Sequence, residues 1–149
     1  QMYQENQKVK LLIAGDGPLM HSYKRLIKNN KNIQLLGWVK DKERFFSKID
    51  IFCIPSKIEP FGIVILEAMA RGIPVISTRC HGPLDIIKNN KNGILININN
   101  KNEMKSAIDL LKNNAEIRKN ISKNGLDTIK YKYTIEAYKK NLFSLLTDV

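Results

Sequence analysis

Apolar residues arrive in short runs along this chain, separated by breaks rich in glycine, proline and asparagine. Val9–Ala14, Ile33–Leu36, Asp50–Ile54, Val75–Thr78 and Gly93–Ile96 are brief and dominated by branched aliphatic side chains, the pattern of buried strands. Leu19–Lys28 and Lys42–Lys48 read as helices between the early strands. Asp85–Lys88 reads as a short helix after the loop Arg79–Pro83, and Asn102–Lys112 and Glu116–Lys130 as two longer ones. Strands and helices that alternate with such short links predict an α/β chain with a parallel sheet wound on both faces. Ligands then bind beyond the carboxyl ends of the strands.

The stretch from Pro55 to Ile76 carries the most chemistry. Pro60 sets a turn, and Gly72 followed by Pro74 marks a sharp helix stop. Ile63, Val64, Ile65, Leu66, Ala68, Met69 and Ala70 are apolar on every face, which predicts a helix covered on more than one side. Glu67 is its only charge before Arg71, and a carboxylate there needs a donor. The N–H groups of the first turn, Phe61 to Val64, lack intrahelical partners, Gly62 admits a ligand close to the backbone, and helix N-termini attract phosphate. Glu59 and Glu67 thus flank an anion-attracting helix end. That pattern suits a ligand with phosphate in its middle and hydroxyls at both ends, as in a nucleotide-sugar.

Glu59-Pro-Phe-Gly-Ile-Val-Ile-Leu-Glu67 resembles the Glu-x7-Glu motif of retaining GT-B glycosyltransferases, most closely family 4, the glycosyl transferases group 1. The resemblance covers nearly the whole chain. It extends to Ala14-Gly15-Asp16-Gly17-Pro18, Leu36-Gly37-Trp38-Val39, His81-Gly82-Pro83-Leu84-Asp85-Ile86-Ile87 and Asn92-Gly93-Ile94-Leu95. It implies a Rossmann-like, doubly wound donor-binding domain over residues 1–132, one half of a GT-B architecture. Residues 133–149 would form a C-terminal crossover helix, with Ile135, Tyr138, Leu142 and Leu145 in an apolar stripe. The acceptor-binding N-terminal half would lie outside this chain.

By the same resemblance Glu59 is the catalytic-site carboxylate on the transferred sugar, and Glu67 contacts the ribose hydroxyls. Phe61, Gly62 and Ile63 donate backbone N–H groups to the diphosphate, and Val64 belongs to the donor-binding set. Val39 follows the glycine near the nucleobase, Gly15 and Gly17 are neighbours of the donor, and His81 and Gly82 complete the donor-binding set. A tight turn is the simpler reading of Gly15-Asp16-Gly17, a core aromatic that of Trp38, and a contact or capping group that of His81. Glu59 also reads as an ordinary loop carboxylate favoured by the helix dipole, and Glu67 as half of a salt bridge. The implied reaction moves a sugar from a nucleoside-diphosphate donor to a glycan or lipid-linked acceptor, without cofactor or bound metal; no Asp-x-Asp occurs. A sugar-nucleotide epimerase on the same two-domain plan is a second reading, though it needs acid and base groups beyond His81. A non-catalytic nucleotide-binding module is a third.

Composition narrows the remaining classes. The chain has 149 residues, 43% of them hydrophobic, and a formal charge of +11. Its lysines recur in asparagine-rich tracts such as Asn89–Asn92 that read as solvent-facing loops, and no zinc-finger spacing or RNA-binding aromatic signature accompanies them. Nucleic acid is therefore not the expected partner. A cytoplasmic location is expected, with peripheral contact at the inner face of the membrane left open by the dense lysines of the C-terminal third. Cys53 and Cys80 read as reduced thiols.

Overall fold

The computed structural model describes residues 9–28 and 30–147. Parallel strands alternate with helices that cover them on both faces, in two compact units that divide between Lys48 and Ile49. In the first unit β1 (Leu11–Ala14) pairs in parallel with β2 (Ile33–Gly37), with α1 (Met20–Ile27) between them in sequence and α2 (Lys42–Phe46) after them. Asp41 caps α2 by accepting from the Arg44 N–H. At the carboxyl ends of the two strands the Gly15 N–H donates to Gly37 O at 2.8 Å, which fastens the exits of both strands together.

The second unit holds the parallel sheet β3-β4-β5, made of Phe52–Ile54, Val75–Thr78 and Ile94–Ile96. The central strand β4 is buried at every position, as its uninterrupted apolar run predicts. Against β4 lie α3 (Ile63–Met69) and α5 (Lys101–Asn113), and α6 (Ala115–Lys132) packs on both helices. Ile65, Ala68 and Met69 of α3, Ala107, Ile108 and Leu111 of α5, and Ile121 of α6 join the sheet residues in the core. α3 and α6 approach closely at Gly125, where a Cβ would lie 3.3 Å from Met69 Cγ.

The predicted stop of α3 has a defined mechanism. Gly72 adopts φ +68°, its N–H donates to Met69 O at 2.9 Å, and the Ile73 N–H donates to Ala68 O at 3.1 Å. These paired bonds form a Schellman motif, which satisfies carbonyls that the helix end leaves open. α3 differs from expectation in its exposure: one face is buried, but Ile63 and Ala70 are exposed and Val64 and Leu66 half-buried. Its first turn is at the surface, where a ligand has access.

Two further expectations are corrected. The helix expected over Asp85–Lys88 runs instead over His81–Ile86 (α4), because Cys80 is still extended and Pro83 fits a first helical turn. The asparagine tracts are not passive loops. Asn100 and Asn114 cap α5 and α6, and Asn90 and Asn99 take positive φ. Asn92 is buried: its Oδ1 accepts from the Lys88 N–H at 2.7 Å, and its Nδ2 donates to Ile86 O at 3.1 Å and to Thr128 Oγ1 at 2.9 Å. One side chain thus ties the turn before β5 to α6.

The last helix, α7 (Ile135–Thr147), packs partly on α6 and leaves Ile135, Tyr138, Leu142, Phe143 and Leu146 exposed; the Leu145 side chain lies outside the described residues. Among the described residues no helix is long and apolar enough to cross a membrane.

Removing the Asn92 amide breaks three hydrogen bonds at once and leaves the buried Ile86 carbonyl without that donor. Asn92→Ala is expected to lower stability by about 2 to 3 kcal/mol, whereas exposed Asn120→Ala shifts it by no more than about 0.5 kcal/mol. Urea unfolding of the two variants measures the difference.

Candidate functional site

β3 ends at Ile54 and delivers a loop, residues 55–62, to the head of α3. Three sets of contacts shape it. At its start, the Thr78 hydroxyl donates to Ser56 O and lies 3.4 Å from Ile54 O, while Cys80 Sγ is 3.9 Å from Ser56 O. Further on, the Gly82 N–H donates to Glu59 O at 2.9 Å. At its end, the Gly62 N–H donates to Glu59 Oε1 at 3.0 Å. Gly62 takes φ +95°, in the left-handed region, and an added Cβ would lie 3.0 Å from Ile65 Cδ1.

The Gly62 N–H, expected to face the diphosphate, is thus taken by the Glu59 side chain, a carboxylate that the nearby helix dipole favours. That carboxylate is half-buried. Beyond it, the N–H groups of Phe61, Ile63 and Val64 have no hydrogen-bond partner among the described residues, and Phe61 and Ile63 are exposed. Glu67, the fifth residue of α3, is half-buried, and its Oε2 is enclosed by protein without a hydrogen bond; its main-chain carbonyl accepts from Arg71 Nη1 at 2.7 Å. Of the residues that the sequence reading grouped, Phe61 to Val64 form the head of α3, Glu59 lies in the loop before it, and Glu67 stands more than a turn further along the helix.

Gly82 belongs to the same locality for a reason that sequence did not reveal. It is buried, and a Cβ on it would fall inside the main chain of Phe61, with Phe61 Cα at 2.5 Å. Its N–H is committed to Glu59 O, so it enters the site as a packing surface for the loop. His81 precedes it at the exposed start of α4. Thr78 is a missed participant; its only sequence signal was a hydroxyl at the carboxyl end of the central strand. Asp85 of α4 faces Tyr133, whose hydroxyl is pushed up first by burial and then by that carboxylate.

Gly15, Gly17 and Val39 lie in the first unit. Gly17 closes a turn, its N–H donating to Asp16 Oδ1 at 2.8 Å, and Val39 is half-buried. Trp38 is 76% exposed, which corrects the core-aromatic reading. Among the described residues no three His, Cys, Asp or Glu side chains converge in a group that could hold a metal ion.

A parallel α/β sheet whose strand end delivers a carboxylate-capped loop to a helix head is a Rossmann-like ligand-binding plan of the GT-B kind. The chain belongs to the family described as Glycosyl transferases group 1, which residues 1–128 match. It is 29% identical over 143 residues to the lipopolysaccharide core biosynthesis glycosyltransferase LpsE of Rhizobium meliloti, covering 94% of this chain and 42% of LpsE. It is 40% identical over 120 residues to an uncharacterized glycosyltransferase, MJ1178, of Methanocaldococcus jannaschii, covering 76% of this chain and 33% of that one. Among solved structures it resembles a glycine-to-arginine mutant of S. aureus TarM, in a complex with fondaparinux, alpha-GlcNAc-glycerol and UDP: TM-score 0.85, 26% identity, 97% of this chain and 30% of TarM. The chain thus spans less than half the length of these relatives.

Burial in β3 pushes the Cys53 thiol from 9.0 up to about 12. The neutral form is favoured on folding, so its contribution is intact below pH 9 and is lost as pH rises from 9 toward 12. Over that window the protein should lose about 1.4 kcal/mol per pH unit from this group. Denaturant unfolding of Cys53→Ala beside the parent, from pH 8 to 11, should show a shallower alkaline decline in the variant.

Proposed function

We propose that this chain is the donor-binding half of a retaining, metal-independent glycosyltransferase of the hexosyl type, working with an acceptor-binding half outside it. The observation that carries this reading is the head of α3: unpartnered N–H groups of Phe61, Ile63 and Val64 stand between Glu59 and Glu67 along a pre-shaped segment in which Phe61 and Ile63 are exposed. Membership of the glycosyltransferase family and the likeness to a protein crystallised with UDP support it.

In this reading the diphosphate of a nucleotide-sugar meets the N–H groups of Ile63 and Val64, Glu67 accepts from the ribose hydroxyls, and Glu59 accepts from hydroxyls of the transferred sugar. A hydroxyl of a glycan or lipid-linked acceptor attacks the anomeric carbon on the face that the diphosphate leaves. Its proton passes to the departing phosphate oxygen, and no protein nucleophile is needed. The protein contributes proximity and the stabilisation of charge that develops on the leaving diphosphate. Residues 133–149 would cross back to the acceptor half, which gives the exposed stripe of α7 a surface to cover it.

Calorimetry on the complete protein tests the assignment, with UDP, ADP and GDP and their glucose or mannose conjugates in the presence of chelator. Binding of at least one pair without added metal is expected, and binding restored only by magnesium would contradict the metal-free claim. Glu67→Gln should weaken the free diphosphate about tenfold, the loss expected for a charge-assisted bond to a common ribose. Glu59→Gln should weaken mainly the sugar conjugate. Equal losses for the free diphosphate in both variants would overturn the division of roles.

A further inference from the structure

The backbone from Thr78 to Gly82 runs alongside the loop that carries Glu59 and touches it at alternate residues. Thr78, 2% exposed, donates its hydroxyl to Ser56 O. Cys80, also buried and extended at φ −134° and ψ 172°, brings Sγ to 3.9 Å from the same oxygen and 3.6 Å from Thr78 Oγ1. Gly82 donates its N–H to Glu59 O and presents a bare Cα to the Phe61 main chain. Thr78 and extended Cys80, two residues apart, both meet the start of the loop, and Gly82, in the first turn of α4, meets its tip.

We propose that Thr78 and Gly82, with Cys80 filling the space between them, are positioning residues that set where the Glu59 carboxylate stands, and so how strongly the sugar of the donor is held relative to its nucleotide. Neither Thr78 nor Gly82 needs to touch the ligand. Thr78 fixes the beginning of the loop to the buried central strand, and Gly82 fixes its tip at Glu59 O. With both ends held, Glu59 Oε1 reaches the Gly62 N–H at 3.0 Å and the carboxylate has one orientation. Glu67 is carried by α3 itself, three residues before the Schellman cap at Ala70–Gly72, so loosening the loop leaves it in place. The consequence is a split: damage to this support affects sugar recognition more than nucleotide recognition. The link to the sugar rests on the role proposed for Glu59; the support of the loop does not.

Two readouts on the complete protein separate these levels. Hydrogen exchange at the Gly62 amide reports the Glu59–Gly62 bond without any ligand. Thr78→Val keeps the side-chain shape and removes the hydroxyl, and it should speed that exchange about tenfold, the effect of losing a net hydrogen bond and its constraint. The amides of Ile76 and Leu95 should keep their protection, and Thr78→Ser should restore the slow exchange at Gly62. Gly82→Ala should speed it at least as much. Unchanged exchange at Gly62 in both Thr78→Val and Gly82→Ala, or faster exchange throughout β4 and β5, would overturn the positioning role.

The second readout is titration with UDP and UDP-glucose. In Thr78→Val the affinity for UDP-glucose should fall about tenfold and that for UDP less than about threefold, in line with loss of one well-placed acceptor. Equal losses for the two would overturn the coupling to sugar recognition. If neither binds the parent protein and no other nucleotide-sugar pair does, the proposed function fails, while the exchange result still decides whether Thr78 and Gly82 hold the loop.

Discussion

No side chain fits between Gly82 and the main chain of Phe61, and the site takes its shape from that close approach. A loop of eight residues with several exposed members is otherwise costly to order, since fixing each backbone residue costs about 1 to 2 kcal/mol. Here the cost is offset at particular points: Ser56 O on Thr78, Glu59 O on Gly82, and Gly62 N–H on Glu59. The segment that supplies the first two contacts is the end of β4 and the start of α4, the best-buried strand and the helix that follows it. Exposed functional backbone is thereby referenced to the core.

Much of this was legible in the residues. Glu59, Gly62 and Glu67 announced a helix head with two carboxylates, and Gly72 before Pro74 announced its stop, because capping and turn chemistry depend on local sequence. The parallel pairing followed from short apolar runs separated by helices. What sequence could not show was long-range. The bonds from Thr78 and Gly82 to the loop join residues more than twenty positions apart, and no periodicity encodes them. The exposure of one face of α3 was also hidden, since an apolar side chain near a ligand site and one in a core look the same in a sequence.

The asparagine tracts show how composition misleads when it stands in for geometry. Lys-Asn repeats in a basic chain resemble solvated filler, yet asparagine tolerates the left-handed region and its amide imitates a backbone group. Asn90 and Asn99 use the first property, Asn100 and Asn114 the second, and buried Asn92 uses both ends of its amide at once. The Asn92 cluster includes Ile86, at the end of α4, and Thr128 of α6, itself packed on α3. α4 is thus joined, through a turn that carries no chemistry of its own, to α6, which packs on α3.

A carboxylate and a diphosphate at one helix head would repel each other if they sought the same N–H groups. The geometry separates them: Glu59 takes the Gly62 N–H, while the Ile63 and Val64 N–H groups stay uncommitted. Gly62 makes the separation possible, because its left-handed backbone turns its own N–H toward the loop as the chain enters the helix. A residue with a Cβ would resist that conformation and crowd Ile65. In the proposed site the charge of Glu59 is then already stabilised by one donor before a ligand arrives, and its remaining oxygen meets the sugar with little orientational freedom to lose. Preorganisation of this kind lowers the entropic cost of binding.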